Sequence, residues 1–400
     1  MRIAFADTTL DGSIIGGAHT FLVQIMRGLS RKGHEIHLIS KGDPLAKSAA
    51  NIADSGARIH PNLWRHDALV NDSTPILARW LNDLRPDVYV VSVSPDLGWT
   101  VLPFLDSKIA TFTIGHNDEH SFYDPVKHYA SFLTRAIGVS DEICRRYVDE
   151  CGMEKARVEW IPYGVEISGS EPVGSGDAAL QLLYVGRVEE EQKRISDLIK
   201  IVKMLDQKGV DLRLSIVGDG VEMPKLKDAL SSEIEDGTVE LHGWVDSDKV
   251  IETMRRSEVF VLTSAYEGFC ISLVEAMANG CCPVVTDIKS GNKQLITDGE
   301  NGFISPVGDV ESMAERIADL AADPERRLIM RKRAWETGKA YSVERMIEAY
   351  ENCFERAIGE ARDNPRQPDP SFPLMESCRS KYPLWLRRIK AKTKSLVGTG

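Results

Sequence analysis

The sequence predicts an α/β protein made of two doubly wound, Rossmann-like sheets with a helical arm at its carboxy-terminal end. Three observations carry this. Apolar strand-like runs alternate with helical patterns, which means βαβ units and parallel sheets. The alternation stops at "SGSEPVGSGDA", residues 168–178, and then restarts. After "NGFISP" only helical patterning remains, from Val310 to Glu360. Four hundred residues, 42% of them apolar, exceed one ordinary core and suffice for two.

"RIAFAD" reads as the first strand, and a glycine-bearing loop, "TTLDGSIIGGAHT", follows it. Phe21, Leu22, Ile25, Met26 and Leu29 then recur at helical spacing, with Gly33 as the stop. "HEIHLIS" is a second strand, "TPILARWLNDLRP" a helix ended by Pro86, and "DVYVVSV" and "SKIATFTIG" are strands. The loop "HNDEHSFYD" and the runs "RAIGVS" and "VEWIP" complete a first domain, 1–167. The Gly/Ser-rich stretch 168–178 reads as a linker. A second domain, 179–341, has strands "LQLLYVG", "DLRLSIVG", "VELHG", "EVFVLTS" and "CPVVT". Between them lie the helices "ISDLIKIVKML", "EMPKLKDAL", "SDKVIETMRR" and "CISLVEAMANG". A helix over 342–362 is expected to cross back toward the first domain, and 363–400 is a Pro-rich spacer with a basic tail. Ligands of such sheets bind outside the carboxyl ends of the strands, so two facing domains place a site in the cleft between them.

The net charge of −11 argues against a nucleic-acid partner, which needs a basic surface. No apolar run approaches the roughly 20 residues of a membrane span. The apolar start is too short for a signal peptide and meets Asp7 at once, so the expected location is cytoplasmic. Seven cysteines without a CxxC pair suit a reducing compartment. Cys281 and Cys282, in "GCCPVV", read as a strand entry rather than a redox pair. The last 22 residues hold seven Lys or Arg and no acid. Trp385, Ile389 and Leu396 share one helical face there. Two readings stand for the tail 379–400: a helix lying on the anionic inner face of the cytoplasmic membrane, or a disordered or body-bound segment attracted to the acidic domains.

The chemistry concentrates in "TSAYEGFCISLVEAMANG". A strand ends near Ser264, Gly268 permits a tight turn, and a helix begins near Cys270 or Ile271. Its free N–H groups and dipole form an anion site. Glu267 lies on the preceding loop, and Glu275 little more than one turn inside the helix. Either both acids stabilise a helix amino terminus, or each accepts hydrogen bonds from sugar hydroxyls on either side of a phosphate. A nucleotide sugar has that shape. Its diphosphate needs cations, and "YVGRVEEEQKR" offers Arg187 and Lys193 after Gly186, where the backbone can come close. The plainer reading pairs both cations with Glu189, Glu190 and Glu191 on a solvated face.

Arg187 with Lys193 six residues on, "VGDG", "LHGWV", two glutamates with seven residues between, "SGNKQLITDGENGFISPVGD" and "IPYGVE" together resemble family-four retaining glycosyltransferases of the GT-B fold. The likeness covers about residues 1–360 and is strongest over 180–325. It implies that Arg187 and Lys193 neutralise the donor diphosphate, that Glu275 binds the ribose hydroxyls, and that Glu267 holds the transferred sugar. It implies phosphate and sugar contacts from the backbone around Gly268, Phe269, Cys270 and Ile271. It implies that the glycine loop of Gly16 and Gly17 approaches donor and acceptor, and that His116 reaches the donor sugar. The implied reaction is retaining transfer by front-face attack from a UDP-sugar to a glycan or lipid-linked acceptor, with no cofactor and no metal.

Tyr163, Cys270 and Gln294 depart from the residues usual in that family, where Asn, Gly and Glu are common. Two other readings stay open: a non-catalytic nucleotide-sugar-binding module, and a sugar-nucleotide epimerase on the same plan. Among lesser signals, "DSD" at 246–248 reads as a helix cap rather than a metal site. His19 either lines the cleft or begins the first helix. Asp118 and Glu119 either orient an acceptor hydroxyl or sit on a solvated loop.

Overall fold

A computed structural model describes residues 1–7, 17–40, 55–63, 70–92, 97–167, 170–174, 179–289 and 291–375. Gly16 and the tail 379–400 lie outside the described residues. The chain forms two compact units. One comprises Met1–Gly138, Cys144–Glu159 and Ile347–Gly400, the other Val139–Ile143 and Trp160–Met346.

The first unit holds a sheet of seven strands: β1 (Arg2–Asp7), β2 (Glu35–Ser40), β3 (Arg58–Ile59), β4 (Val88–Val91), β5 (Ala110–Gly115), β6 (Arg135–Gly138) and β7 (Val158–Trp160). Their order is β3-β2-β1-β4-β5-β6-β7. From β3 to β6 every pairing is parallel, in line with the unbroken burial of β4 and β5. The helix Gly17–Arg31 buries the five apolar residues that marked it, and Gly33 leaves it at φ 87°. The next helix, Val70–Leu84, starts earlier than its pattern suggested and takes in Pro75. Within it the Thr74 hydroxyl meets Thr100 Oγ1 at 2.7 Å.

The long helix Val343–Asp363 builds most of its length into the first unit, where Tyr350, Cys353, Phe354 and Ala357 are buried. Gly28 is needed beneath it, since a Cβ there would stand 1.9 Å from Ile347 Cδ1. Glu351 receives Lys32 at 2.5 Å and His34 at 2.8 Å, and Glu360 receives Arg135 Nε at 2.9 Å. The Pro-rich segment after this helix is not a free spacer over its described part. Arg366 donates to Thr111 Oγ1 (2.9 Å) and to the carbonyls of Phe132 (3.1 Å) and Asp106 (3.0 Å). Phe372 packs on His128, Tyr129 and Phe132. Prolines favour extended chain, and here that chain is strapped across the amino end of β5.

The second unit holds β8 (Leu180–Val185), β9 (Leu212–Val217), β10 (Val239–Gly243), β11 (Val259–Leu262), β12 (Cys282–Asp287) and β13 (Phe303–Pro306). All are parallel, in the order β10-β9-β8-β11-β12-β13. The order reverses between β8 and β11, the switch point at which such sheets bind ligands. Leu182, Leu214, Val261, Val284 and Phe303 of the strands meet Leu198, Ile201 and Ile317 of the helices in one core. Glu258 is buried between Arg327 (3.0 Å) and Arg331 (3.4 Å), which anchors the helix Pro324–Lys339. Asp246 accepts from the Lys249 N–H at 3.0 Å, so the "DSD" run caps the helix Ser247–Arg256. Cys281 and Cys282 are fully buried, and burial pushes both thiols up to about 12. Neither is a reactive thiolate. Among the described residues no helix is long and apolar enough to cross a membrane.

Candidate active site

The carboxyl ends of β8 and β11 lie side by side, with Leu182 and Leu183 paired to Val259 and Phe260. The turn after β8 is stitched to its neighbour: Gly186 N–H donates to Val217 O at 3.0 Å and Val188 N–H to Asp219 O at 3.0 Å. Gly218 adopts φ +131° there, and a Cβ on it would come within 1.9 Å of Gly186 O. This is why the "VGDG" turn carries glycine. Two further bonds fix the backbone that leads into the helix Ile195–Gln207. Thr263 Oγ1 donates to Lys193 O at 2.7 Å, and Ala265 N–H to Gln192 O at 2.7 Å.

That scaffold holds Lys193 against Glu267. Lys193 Nζ donates to Glu267 Oε1 at 2.5 Å, and the two residues are only 8% and 7% exposed. Ser264 Oγ donates to the same oxygen at 2.6 Å. Gln192 Nε2 donates to Glu267 Oε2 at 3.1 Å. Burial pulls the Lys193 ammonium down, but Glu267 together with Cys270 and Tyr184 outweighs it, and the group ends above its ordinary value. Lys193 is therefore a fixed positive charge with little water around it.

Arg187 is half in solvent, its side chain 56% exposed. Its Nη2 donates to Gln192 Oε1 at 2.5 Å and stands 3.9 Å from Glu189. The solvated-face reading put both cations on the glutamates 189–191. Instead Lys193 pairs with Glu267, while Glu189 accepts the backbone N–H groups of Gln192 and Lys193. Glu190 accepts from Ser196.

The helix Ile271–Ala278 follows β11, with Cys270 at its N-cap in an extended conformation and no side-chain cap. First-turn N–H groups of a helix have no partner inside it, so this end can receive an anion. Gly268, Phe269 and Cys270 are buried, and Ile271 is partly exposed. Phe269 is wedged between the rings of Tyr163 (6.0 Å) and Tyr341 (5.9 Å). Gly291 leaves room for it, since a Cβ there would lie 2.5 Å from Phe269 Cδ2. Glu275 sits four residues past Ile271 in the same helix. Burial, and secondarily the Glu166 charge, lift its carboxyl to about 7.

In the first unit His116 follows β5. Its Nε2 shares a hydrogen bond with Ser92 Oγ at 2.9 Å, and its ring lies 5.1 Å from Phe21 of the Gly17–Arg31 helix. Burial pushes the imidazole down to about 3, so it is neutral near pH 7. Gly17 is the exposed first residue of that helix, and His19 is buried on it. Asp118 is not solvated: it accepts from Arg146 Nη1 (2.6 Å) and from the Tyr123 hydroxyl (2.8 Å). Glu119 is exposed and accepts from Ser121 Oγ.

The second unit thus gathers Gly186, Arg187, Lys193, Glu267 and the start of the Ile271–Ala278 helix at one end of its sheet. The first sets His116 against Phe21 of the helix that begins at Gly17. Sequence reasoning missed Gln192. It stands beside Lys193 in "EEEQKR", but a neutral amide leaves no charge pattern to notice.

Residues 170–337 match the family of glycosyl transferases group 1, and residues 15–168 match glycosyltransferase family 4. An exopolysaccharide phosphotransferase of Streptomyces coelicolor is 32% identical over 345 residues, 85% of this chain. The chain spans only 36% of that relative's length. A phosphatidyl-myo-inositol mannosyltransferase of Mycolicibacterium smegmatis is 25% identical over 329 residues, 78% of this chain and 83% of the relative. The structure of Anabaena HepE in complex with UDP superposes with a TM-score of 0.72 at 16% identity, covering 89% of this chain and 100% of that one. Two doubly wound parallel sheets define the GT-B class of folds. The chain belongs to the family-four, group 1 glycosyltransferases.

Proposed function

We propose that the protein moves a hexose from a UDP-sugar to a glycan or glycolipid acceptor in cell-surface polysaccharide synthesis, with retention of configuration and without a metal ion. The buried Lys193–Glu267 contact at the β8–β11 switch point carries this reading. It places a desolvated cation and a hydroxyl acceptor within one hydrogen bond of each other, next to Arg187 and an uncapped helix start. Arg187, Lys193 and the helix N–H groups would take the diphosphate, where a dry site strengthens each attraction. Glu267 would hold the hexose hydroxyls and Glu275 the ribose. The neutral His116 would bond a sugar hydroxyl without adding charge. In the step itself, the bond from the anomeric carbon to the diphosphate oxygen breaks. A bond to the acceptor oxygen forms on the same face, and the acceptor proton passes to the departing diphosphate. No residue of the enzyme becomes covalently attached. UDP in the HepE structure supports uridine as the nucleoside.

The test is incubation with a panel of UDP-sugars and glycan acceptors, with the product anomer read by NMR, with and without chelator. We expect an anomer of the donor's configuration and equal rates in both samples. An epimerised donor with no glycosylated acceptor would overturn the transferase reading, and a large chelator effect its metal independence. The tail 379–400 is proposed to rest on anionic lipid at the inner face of the cytoplasmic membrane. Co-sedimentation with phosphatidylglycerol vesicles, lost in a chain ended after residue 375, checks it.

A further inference from the structure

We infer that Gln192 is a positioning residue that sets the Arg187 guanidinium and the Glu267 carboxylate in register, through an amide whose acceptor and donor ends match them. The inference rests on the nucleotide-sugar reading and concerns the same site. Gln192 is 8% exposed. Its Oε1 accepts from Arg187 Nη2 at 2.5 Å, and its Nε2 donates to Glu267 Oε2 and to Tyr266 O, both at 3.1 Å. A guanidinium can only donate and a carboxylate can only accept. The residue between them must therefore present an acceptor on one side and a donor on the other. An amide does so without net charge.

The consequence lies in the geometry of the donor. Glu267 Oε1 is already engaged by Lys193 and Ser264, so Oε2 is the oxygen with a lone pair left for a sugar hydroxyl. Gln192 fixes the direction of that lone pair. The same amide turns Arg187, otherwise half in solvent, toward the phosphate end. One side chain thus ties the two ends of the donor to each other. Its backbone is pinned by Glu189 through its N–H and by Ala265 through its carbonyl, and its amide is held by the bonds to Arg187, Glu267 and Tyr266.

Replacement by glutamate gives a sharp test. The introduced carboxyl, when protonated, is nearly isosteric with the amide and keeps the bonds to the two charged groups, its O–H donating to Glu267 and its C=O accepting from Arg187, while its one hydrogen leaves the Tyr266 carbonyl without that bond. When ionised it would face Glu267 at hydrogen-bond distance, and two carboxylates that close cannot both carry charge without penalty. The charged and titratable groups around the position are Arg187, Glu189 and Lys193 on its own loop, Tyr184 of β8, and Glu267 and Cys270 of the facing loop. Arg187 and Lys193 favour ionisation and Glu189 and Glu267 oppose it.

The experiment compares the full chain with its Gln192→Glu and Gln192→Leu variants at about pH 5.5 and about pH 8. Thermal unfolding is followed without ligand, with UDP, and with UDP-glucose, UDP-galactose and UDP-N-acetylglucosamine. Gln192→Glu should bind UDP and UDP-sugar nearly as the parent does at the lower pH. At the higher pH it should bind about tenfold or more weakly, while the parent stays flat. Gln192→Leu should be weakened at both. A merely structural glutamine would shift ligand-free melting but leave the pH dependence of donor binding unchanged. That result, or parent-like binding by Gln192→Glu at both pH values, overturns the inference. If no UDP compound protects the parent, the nucleotide-sugar reading fails instead. The ligand-free melting of Gln192→Glu, falling relative to the parent as pH rises, still reports the amide's contact with Glu267.

Discussion

Replacing Lys193 by methionine removes one partner of a buried ion pair and leaves the other. Breaking such a pair costs about 3–5 kcal/mol, because a carboxylate is stranded away from water. Glu267 would still receive Ser264 Oγ at 2.6 Å and Gln192 Nε2 at 3.1 Å, which places the cost at the lower end, about 3 kcal/mol. For a unit of this size that is roughly 6–12 °C in melting temperature. The charge pattern alone treats the position as fold-neutral, and the burial of the pair changes that expectation. The second variant, Lys193→Met with Glu267→Gln, leaves no stranded charge and should recover most of the loss. Both variants lose a charge-assisted bond to phosphate, about 10- to 100-fold in UDP affinity. Scanning calorimetry with and without UDP measures both quantities. A single variant as stable as the parent, or one that binds UDP as well, would refute the assignment of Lys193.

Glu275 gives a pH signature. Burial holds its folded carboxyl at about 7 against an ordinary 4.5. Between these values the native state keeps a proton that the unfolded state has released, so stability falls as pH rises and the loss is complete above about 7. Glu275→Gln should match the parent near pH 4.5 and melt higher than it near pH 8; a difference independent of pH would refute the shift. Arg366→Ala should cost about 1–3 kcal/mol through its lost bonds and speed hydrogen exchange over residues 364–372. Unchanged exchange would mean that the Arg366 bonds do not hold the strap, which Phe372 and the Asp369 N–H bond to Pro103 O would then secure.

The alternation of strands and helices was legible because strands such as β4, buried on both faces, read as unbroken apolar runs, and β5 carries only threonines, which favour strands, between its apolar residues. The two-residue β3 was not legible. Arg58 and Ile59 carry no pattern of their own, and their pairing is imposed by β2. At the site, the charged residues stood out by spacing, and the turn at Gly218 stood out as glycine. Relations between distant segments stayed hidden. Nothing in "EEEQKR" announces that Gln192 reaches across 75 residues to Glu267, or that Lys193 is buried against the same carboxylate. Arg366, in a stretch rich in proline, looked like part of a tether. Only its carbonyl partners, more than 200 residues earlier, reveal a clamp.

The helix Val343–Asp363 has a consequence for how the molecule is made. The first unit is written in three pieces, and the last of them, from Ile347 onward, leaves the ribosome only after the whole of the other unit. Until then Phe21 lacks the cover of Tyr350, and Phe112 that of Phe354. The half synthesised first is thus completed last, so a chain released after residue 346 should present an intact second unit and an open first one that chaperones would recognise.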